Sequence, residues 1–172
     1  VLEQSFGGFE LLIQDNCSTD NTDEVIARYD DTRICYQKNS RNLGMFGNLN
    51  NVCARARGRY IKLLCADDTL SEWCLETIFE VLQSKEAAPK LLSVKETQYR
   101  ELLTQAPSLP SIDLFTINRD NLFTYLARPD NWGGGLAELC VERQFFESVG
   151  FFGDFYEDRD FSKDIIAWLN MV

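Results

Sequence analysis

The first 85 residues alternate short apolar runs with segments in which apolar residues recur at helical spacing. The predicted elements are strands at 9–15, 33–39 and 59–66 and helices at 21–29, 45–58 and 70–85. Strands that alternate with helices favour a parallel sheet, because each helix carries the chain back to the same edge. The chain is therefore predicted to be an α/β protein with a mainly parallel sheet sandwiched by helices.

The second half of the chain is less regular. A further strand is expected within 89–100, another at 136–142 and a short helix at 143–150. With 172 residues, 45% of them hydrophobic, the chain can bury one sizeable core. A single domain over 1–172 is therefore predicted.

The charge balance limits the partners that we expect. The chain has 27 acidic and 17 basic residues and a net charge of -10. An acidic surface repels nucleic-acid phosphates, so nucleic acid is not expected as a main partner. No apolar run approaches the roughly 20 residues of a membrane-spanning helix, and no transmembrane segment is expected.

The chain has six cysteines and no histidine. Without histidine, imidazole zinc sites and histidine-dependent triads are excluded. No two cysteines have CxxC spacing, and Cys35, Cys53 and Cys65 lie in apolar runs. Buried, reduced thiols are therefore predicted.

The segment "DNCSTDNTDEVIARY" begins at Asp15, at the end of the first predicted strand. A calcium loop of the EF-hand type needs an acid at its twelfth position, where Ile26 stands, so that site is excluded. Asn21 and Glu24 have the spacing of a capping box, which predicts a helix start.

The acid pair Asp67 and Asp68 follows the third predicted strand. Ligands of parallel sheets bind beyond the carboxyl ends of the strands, and two carboxylates suit a divalent cation on a diphosphate. The alternative is that Asp68 or Ser71 caps the next helix. From these residues alone both interpretations stay open.

A second acidic cluster, in "YEDRDF", contains Glu157, Asp158 and Asp160. A carboxylate in such a cluster can act as a general base. Taken alone, the cluster is more typical of a solvated helix start, where acids suit the helix dipole.

Taken in order, these motifs resemble the family 2 glycosyltransferases of the GT-A fold. The resemblance rests on "FELLIQDNCSTDNTDEVI", "RNLGMFGNLNNVCARARGRYIKLLCADDTL" and "GFFGDFYEDRDF". It implies a Rossmann-like sheet and divides the domain into a nucleotide-binding half, 1–85, and an acceptor-side half, 86–172. The family usually has an earlier strand, and "VLEQSFGGFE" resembles only the end of the helix after it.

The resemblance also implies roles for individual residues. The residues that match the nucleotide-sugar-binding positions are Asp15, Asn16, Ser18, Asn42, Gly44, Asn48 and Asp67. Asp68 matches the ligand of Mn²⁺ or Mg²⁺, and Asp158, with Glu157 beside it, matches the catalytic base. Many members have an acid where this chain has Asn16, and an amide both donates and accepts hydrogen bonds.

The implied function is inverting transfer of a sugar from a nucleotide-sugar donor to an acceptor hydroxyl in a glycan or a lipid-linked molecule. The implied location is cytoplasmic, with peripheral attachment at the membrane. Because the first strand is expected to be missing, an exposed sheet edge and pairing between chains are expected as well.

Two other functions stay open at this point. A nucleotidyltransferase on a similar sheet usually has a glycine-rich, basic loop near its first strand, and none is visible here. A binding or scaffold domain without activity agrees with the short start of the chain. It gives no reason for two separate acidic clusters.

Overall fold

The computed structural model describes residues 1–83, 89–93, 139–148 and 150–152. In chain order, the elements are β1 (Leu11–Asp15), α1 (Thr22–Ile26), β2 (Ile34–Lys38), α2 (Gly44–Ala54), β3 (Tyr60–Lys62), α3 (Cys74–Gln83), β4 (Leu91–Ser93), β5 (Leu139–Glu142) and α4 (Arg143–Ser148). The described residues divide into two compact units. The first contains 1–7, 60–83, 89–93 and 139–142, and the second contains 8–59, 143–148 and 150–152.

The second unit contains a parallel pair of strands. Leu11 of β1 lies opposite Ile34 of β2, and the register continues to Asp15 opposite Lys38. The pair is extended by one bond, in which the N–H of Asn39 donates to the carbonyl of Asp15 at 2.8 Å. The predicted parallel connection through α1 is confirmed for these two strands, and both end at the same edge.

The core of the second unit is aromatic. Phe146 of α4 and Phe152 are buried, and their rings meet edge to face with centroids 5.2 Å apart. Phe46 of α2 packs against Phe152, with centroids 5.7 Å apart. These contacts tie α2 to α4 within this unit.

Helix α2 is shorter than its predicted range of 45–58. It ends at Ala54, so Arg55 is its C-terminal cap and Arg57 lies beyond the helix. Glu10 accepts hydrogen bonds from the backbone N–H and the Nε of Arg57, at 2.6 and 2.9 Å. These hydrogen bonds hold the backbone just after the end of α2, and no further helical turn is formed.

The first unit contains an antiparallel sheet with the strand order β3-β5-β4. The strands predicted within 89–100 and 136–142 are confirmed as β4 and β5, but β3 covers only three residues of the predicted 59–66. Since β3 pairs antiparallel with β5, the mainly parallel sheet is confirmed only for β1 and β2. A sheet covered by helices on both faces stays a prediction.

One face of α3 forms the core of the first unit. Cys74 and Ile78 of α3 are buried against Cys140 of β5. All six cysteines are free thiols, as predicted. Of the three expected to be buried, only Cys53 is, because Cys35 and Cys65 lie partly at the surface. In the described part of the chain, no helix is long and apolar enough to cross a membrane.

Candidate functional site

The carboxylate of Asp15 lies almost completely inside the second unit, with its side chain 1% exposed. One oxygen accepts a hydrogen bond from the N–H of Ser18 at 2.7 Å, and the other accepts from the Tyr36 hydroxyl at 2.8 Å. The Nζ of Lys38 lies 3.6 Å from the second oxygen. Asp15 therefore anchors the loop that follows β1.

Electrostatics keep this group of residues in defined charge states. Burial raises the pKa of Asp15, but hydrogen bonds from Ser18 and Tyr36 outweigh it and hold the pKa below the ordinary 3.8. The bond to Asp23, then burial, raises the pKa of the Tyr36 hydroxyl far above its usual range. The hydrogen bond to Asp23 also raises the pKa of Lys38. Two carboxylates thus share one phenol proton and one ammonium charge.

The loop after β1 turns sharply at Cys17. This residue has a φ of 69°, in the left-handed region that non-glycine residues rarely adopt. The turn brings the Ser18 N–H back to Asp15. The next turn is held by Asp20, which accepts hydrogen bonds from the N–H and the hydroxyl of Thr22, at 3.0 and 2.5 Å.

The predicted capping box of α1 is wrong. Asn21 is the N-terminal cap residue by position, but its side chain makes no capping hydrogen bond. Instead, the carboxylate of Asp20 accepts a hydrogen bond from the N–H of Thr22, in the first turn of α1. A local hydrogen bond to the preceding acid replaces the reciprocal pair of a capping box.

Asn16 links the loop after β1 to the start of α2. Its Nδ2 donates to Asn42 Oδ1 at 2.9 Å and to the Gly44 carbonyl at 3.1 Å. Its Oδ1 accepts from the Leu43 N–H at 2.8 Å and from Asn39 Nδ2 at 3.2 Å. An ionised aspartate here could not donate the hydrogen bonds that Asn16 Nδ2 makes to Asn42 and to Gly44.

Gly44 begins α2 with a φ of +73°, which L side chains rarely adopt. Nothing lies within 4 Å of the position where a Cβ would stand. Gly44→Ala is therefore expected to lower the free energy of unfolding by about 1 kcal/mol through backbone strain alone. Urea denaturation measures this loss.

Gly7→Ala is the matched control for this substitution. Gly7 also has open space around its Cβ position, without a positive φ. Its unfolding free energy should change by less than about 0.5 kcal/mol. An equal loss in both variants would contradict the role of the Gly44 backbone.

Asn48 and Asn39 complete a network of amide side chains. Asn48 Nδ2 donates to the carbonyl of Gln14 at 3.1 Å, and Asn48 Oδ1 accepts from Asn39 Nδ2 at 2.8 Å. Asn39 was not among the sequence-predicted site residues. The sequence singles out Asn39 only as a polar residue directly after the end of β2, and several other asparagines lie nearby.

The first unit holds the acid pair in the turn after β3. Ligand atoms of Cys65, Asp67 and Asp68 all lie within 4.8 Å of one another, and both acids are exposed. The Asp68 N–H donates to the Cys65 carbonyl at 3.2 Å. Because α3 begins at Cys74, Asp68 lies too far upstream to cap that helix.

The chemistry of this donor set fits a hard divalent cation. The two carboxylates supply oxygen ligands of the kind that Mn²⁺ and Mg²⁺ prefer, with further ligands from water and phosphate. Burial, followed by the charges of Asp68 and Asp67, raises the pKa of the Cys65 thiol. The protonated sulfur is a poor ligand for such ions.

The structure brings together Asp15, Asn16, Ser18, Asn42, Gly44 and Asn48 within the second unit and places Asp67 and Asp68 in the first. The side chains of Asp15 and Asn16 already bond to protein atoms, and contact with a nucleotide stays a prediction for all the candidate residues. The predicted base Asp158, its neighbour Glu157 and Asp160 lie outside the described residues.

Comparison with known proteins gives consistent matches. A model of the family "Glycosyl transferase family 2" matches residues 1–135. TuaG of Bacillus subtilis (strain 168), a glycosyltransferase provisionally assigned to teichuronic acid biosynthesis, is 34% identical over 90 residues, 51% of this chain and 36% of TuaG. WfaP of Escherichia coli, a UDP-Glc:alpha-D-GlcNAc-diphosphoundecaprenol beta-1,3-glucosyltransferase, is 39% identical over 68 residues, 40% of this chain and 27% of WfaP.

A longer match covers most of the chain. The abequosyltransferase RfbV of Salmonella typhimurium (strain LT2) is 28% identical over 157 residues, which are 83% of this chain and 46% of RfbV. The matched regions make up less than half of the length of each of these three relatives.

Proposed function

Because the chain belongs to glycosyl transferase family 2, we propose that it transfers a sugar, with inversion, from a nucleotide-sugar donor to an acceptor hydroxyl. The observation that carries this proposal is the exposed acid pair Asp67 and Asp68, whose ligand atoms lie within 4.8 Å of each other. A divalent ion held there, Mn²⁺ or Mg²⁺, would stabilise the negative charge that develops on the leaving diphosphate.

The residues of the second unit take the nucleotide in this proposal. Asp15 and Asn16 shape the wall of the site, since their side-chain atoms are engaged by the protein. Ser18, Asn42 and Gly44 offer exposed or half-exposed groups around them. Asp67 contacts the ribose and Asp68 holds the cation in this proposal.

The reaction needs one base and no covalent intermediate. Asp158, with Glu157 beside it, takes the proton from the acceptor hydroxyl. The oxygen then forms a bond to the anomeric carbon while the bond to the diphosphate breaks. A single displacement of this kind inverts the configuration at that carbon.

We propose a lipid-linked glycan as the acceptor, used in cell-surface polysaccharide synthesis. The name of the relative WfaP includes a sugar on diphosphoundecaprenol, which is a lipid-linked molecule. Such an acceptor would bring the protein to the cytoplasmic surface of the membrane as a peripheral protein. Pairing between chains is a further part of the proposal, which sedimentation of the chain would measure.

The base assignment is tested by Asp158→Asn. With Mn²⁺, a nucleotide sugar and an acceptor, release of nucleoside diphosphate should fall by a factor of about 10² to 10⁴, because general-base catalysis typically contributes that much. Binding of the nucleoside diphosphate, measured by titration calorimetry, should stay within about twofold of the wild-type value.

Asp30→Asn is the control, because it makes the same chemical change at an exposed position. Its rate of release should equal that of the wild-type chain. Full activity of Asp158→Asn would show that the base is a different residue. Failure of the wild-type chain to bind any common nucleoside diphosphate with Mn²⁺ would contradict the proposed function as a whole.

A further inference from the structure

The side chain of Asn39 is bonded at every hydrogen-bonding position. Its Nδ2 donates to Asn16 Oδ1 and to Asn48 Oδ1, at 3.2 and 2.8 Å. Its Oδ1 accepts from Gln14 Nε2 at 2.8 Å and from Asn51 Nδ2 at 3.3 Å. One half-buried amide thus joins β1, the loop after β1 and α2.

The orientation of the Asn48 amide is fixed by the backbone. The carbonyl of Gln14 can only accept a hydrogen bond, and Asn48 Nδ2 lies 3.1 Å from it. Asn48 must therefore present its oxygen to Asn39. The group of Asn39 that faces it has to be a donor.

The orientation of the Asn16 amide is fixed in the same way. The Leu43 N–H can only donate, and it lies 2.8 Å from Asn16 Oδ1. The Gly44 carbonyl can only accept, and it lies 3.1 Å from Asn16 Nδ2. Asn16 therefore also presents an oxygen to Asn39.

The acceptor side of Asn39 is fixed by a charged group. Arg55 Nη1 donates to Gln14 Oε1 at 2.7 Å, and a guanidinium cannot accept. Gln14 must therefore turn its NH₂ toward Asn39. Position 39 therefore faces the side-chain oxygens of Asn16 and Asn48 and the NH₂ of Gln14. An amide side chain in one orientation satisfies all three partners.

We propose that Asn39 is a positioning residue of the donor site and holds Asn16 and Asn48 in place for nucleotide binding. This inference rests on the proposed function. The chain of bonds continues from Asn16 to Asn42 Oδ1, which also accepts from the Gly44 N–H at 2.8 Å. Asn42 Nδ2 makes no hydrogen bond in the described part of the chain, and Asn42 is exposed. In this proposal, that NH₂ donates to an acceptor atom of the nucleotide.

Asn39→Asp is the sharpest test, because it keeps the acceptor side and removes both donors. The charged side chain would face the oxygens of Asn16 and Asn48, so binding of a nucleoside diphosphate with Mn²⁺ should weaken by about 10- to 100-fold near pH 8. Protonation at lower pH restores one donor. The ratio of variant to wild-type dissociation constants should therefore fall by about 3- to 10-fold near pH 5.

The surroundings of position 39 make this pH profile interpretable. The side chains that hydrogen-bond to the Asn39 side chain come from Gln14, Asn16, Asn48 and Asn51 and are neutral. The charged neighbours on β1 and β2 are Asp15, whose carbonyl accepts from the Asn39 N–H, and Lys38, and both proteins share them. Arg55, one contact further away, keeps its charge at both pH values. Taking the ratio to wild type cancels the protonation of other acids that both proteins share.

Two further variants separate positioning from folding. Asn39→Ala removes all four bonds without adding a charge, so its binding should be weaker at both pH values, with no recovery near pH 5. Asn21→Asp makes the same change as Asn39→Asp at an exposed position without a side-chain capping bond. Its binding should stay within about twofold of wild type. Circular dichroism at the assay temperature confirms that each variant is folded.

The outcomes distinguish this inference from the proposed function. If the wild-type chain binds and either folded Asn39 variant binds equally well near pH 8, Asn39 does not position the site. A loss in Asn39→Asp that does not change with pH also overturns the inference. If the wild-type chain binds no nucleoside diphosphate, the proposed function is wrong and the inference falls with it.

Discussion

Asp68→Asn should abolish the gain that Mn²⁺ gives to nucleoside diphosphate binding. In the wild-type chain we expect Mn²⁺ to tighten binding by about 100-fold, which corresponds to about 3 kcal/mol. In the variant, titration calorimetry with and without Mn²⁺ should give dissociation constants within about threefold of each other. The reason is that an amide oxygen has no net charge with which to hold a cation against a diphosphate.

Asp67→Asn should behave differently. If Asp67 contacts the ribose, its loss weakens binding by a similar factor with and without Mn²⁺, so the gain from the metal survives. Cys65→Ser is the matched control, because sulfur is a soft ligand that Mn²⁺ does not need. A full Mn²⁺ gain in Asp68→Asn, or loss of that gain in Cys65→Ser, would contradict the assignment of the metal ligand.

The sequence predicted the elements that depend on local apolar pattern. The apolar runs that end at Asp15 and Lys38 became β1 and β2, with the expected parallel pairing. Short apolar runs bounded by polar residues are typical of strands, and a helix between two of them predicts a parallel connection. The edge at which both strands end was predictable for the same reason.

The ends of the elements depend on contacts that a local pattern does not contain. Glu10, more than 40 residues upstream, captures the backbone N–H groups of Arg57 and Gly58 at 2.6 and 3.1 Å. Tyr60–Lys62 pairs with β5, about 80 residues later in the chain. The residues next to these element ends do not indicate either distant partner. The predicted helix 45–58 and strand 59–66 therefore both extend beyond the observed α2 and β3.

The candidate site shows the same division. The acids Asp15, Asp67 and Asp68 were selected as candidates because they follow apolar runs at the ends of predicted strands. The sequence did not reveal that Asp15 is buried, because its neighbours Tyr36 and Lys38 come from another strand, β2. Asn39 was missed because its four hydrogen bonds involve side chains that the neighbouring sequence does not place around it.

Asp15→Ala should destabilise the second unit strongly. The substitution removes a buried acceptor and leaves the Ser18 N–H without its 2.7 Å partner. Lys38 keeps Asp23 as a partner at 2.6 Å, so only part of the charge pairing is lost. We expect a loss of about 2–3 kcal/mol in unfolding free energy. Thermal denaturation should show a decrease in Tm of roughly 4–12 °C.

Asp15→Asn isolates the charge of this carboxylate. The amide can still accept from Ser18 and can donate to Tyr36, so its loss of stability should be smaller, about 1 kcal/mol near neutral pH. The pKa of Asp15 is below 3.8 in the folded chain, so the charge stabilises the protein above about pH 4. That contribution is lost as the pH falls through the folded pKa.

The stability difference between wild type and Asp15→Asn should therefore shrink as the pH falls from about 5 toward 2. Other acids with lowered pKa values, such as Asp31 at about 2, are common to both proteins and cancel in this difference. Asp30→Asn, at an exposed position, should match wild type throughout the series. A difference that stays constant or grows on acidification would show that the buried charge of Asp15 does not stabilise the loop. The bonds from Ser18 and Tyr36 would then act through shape alone.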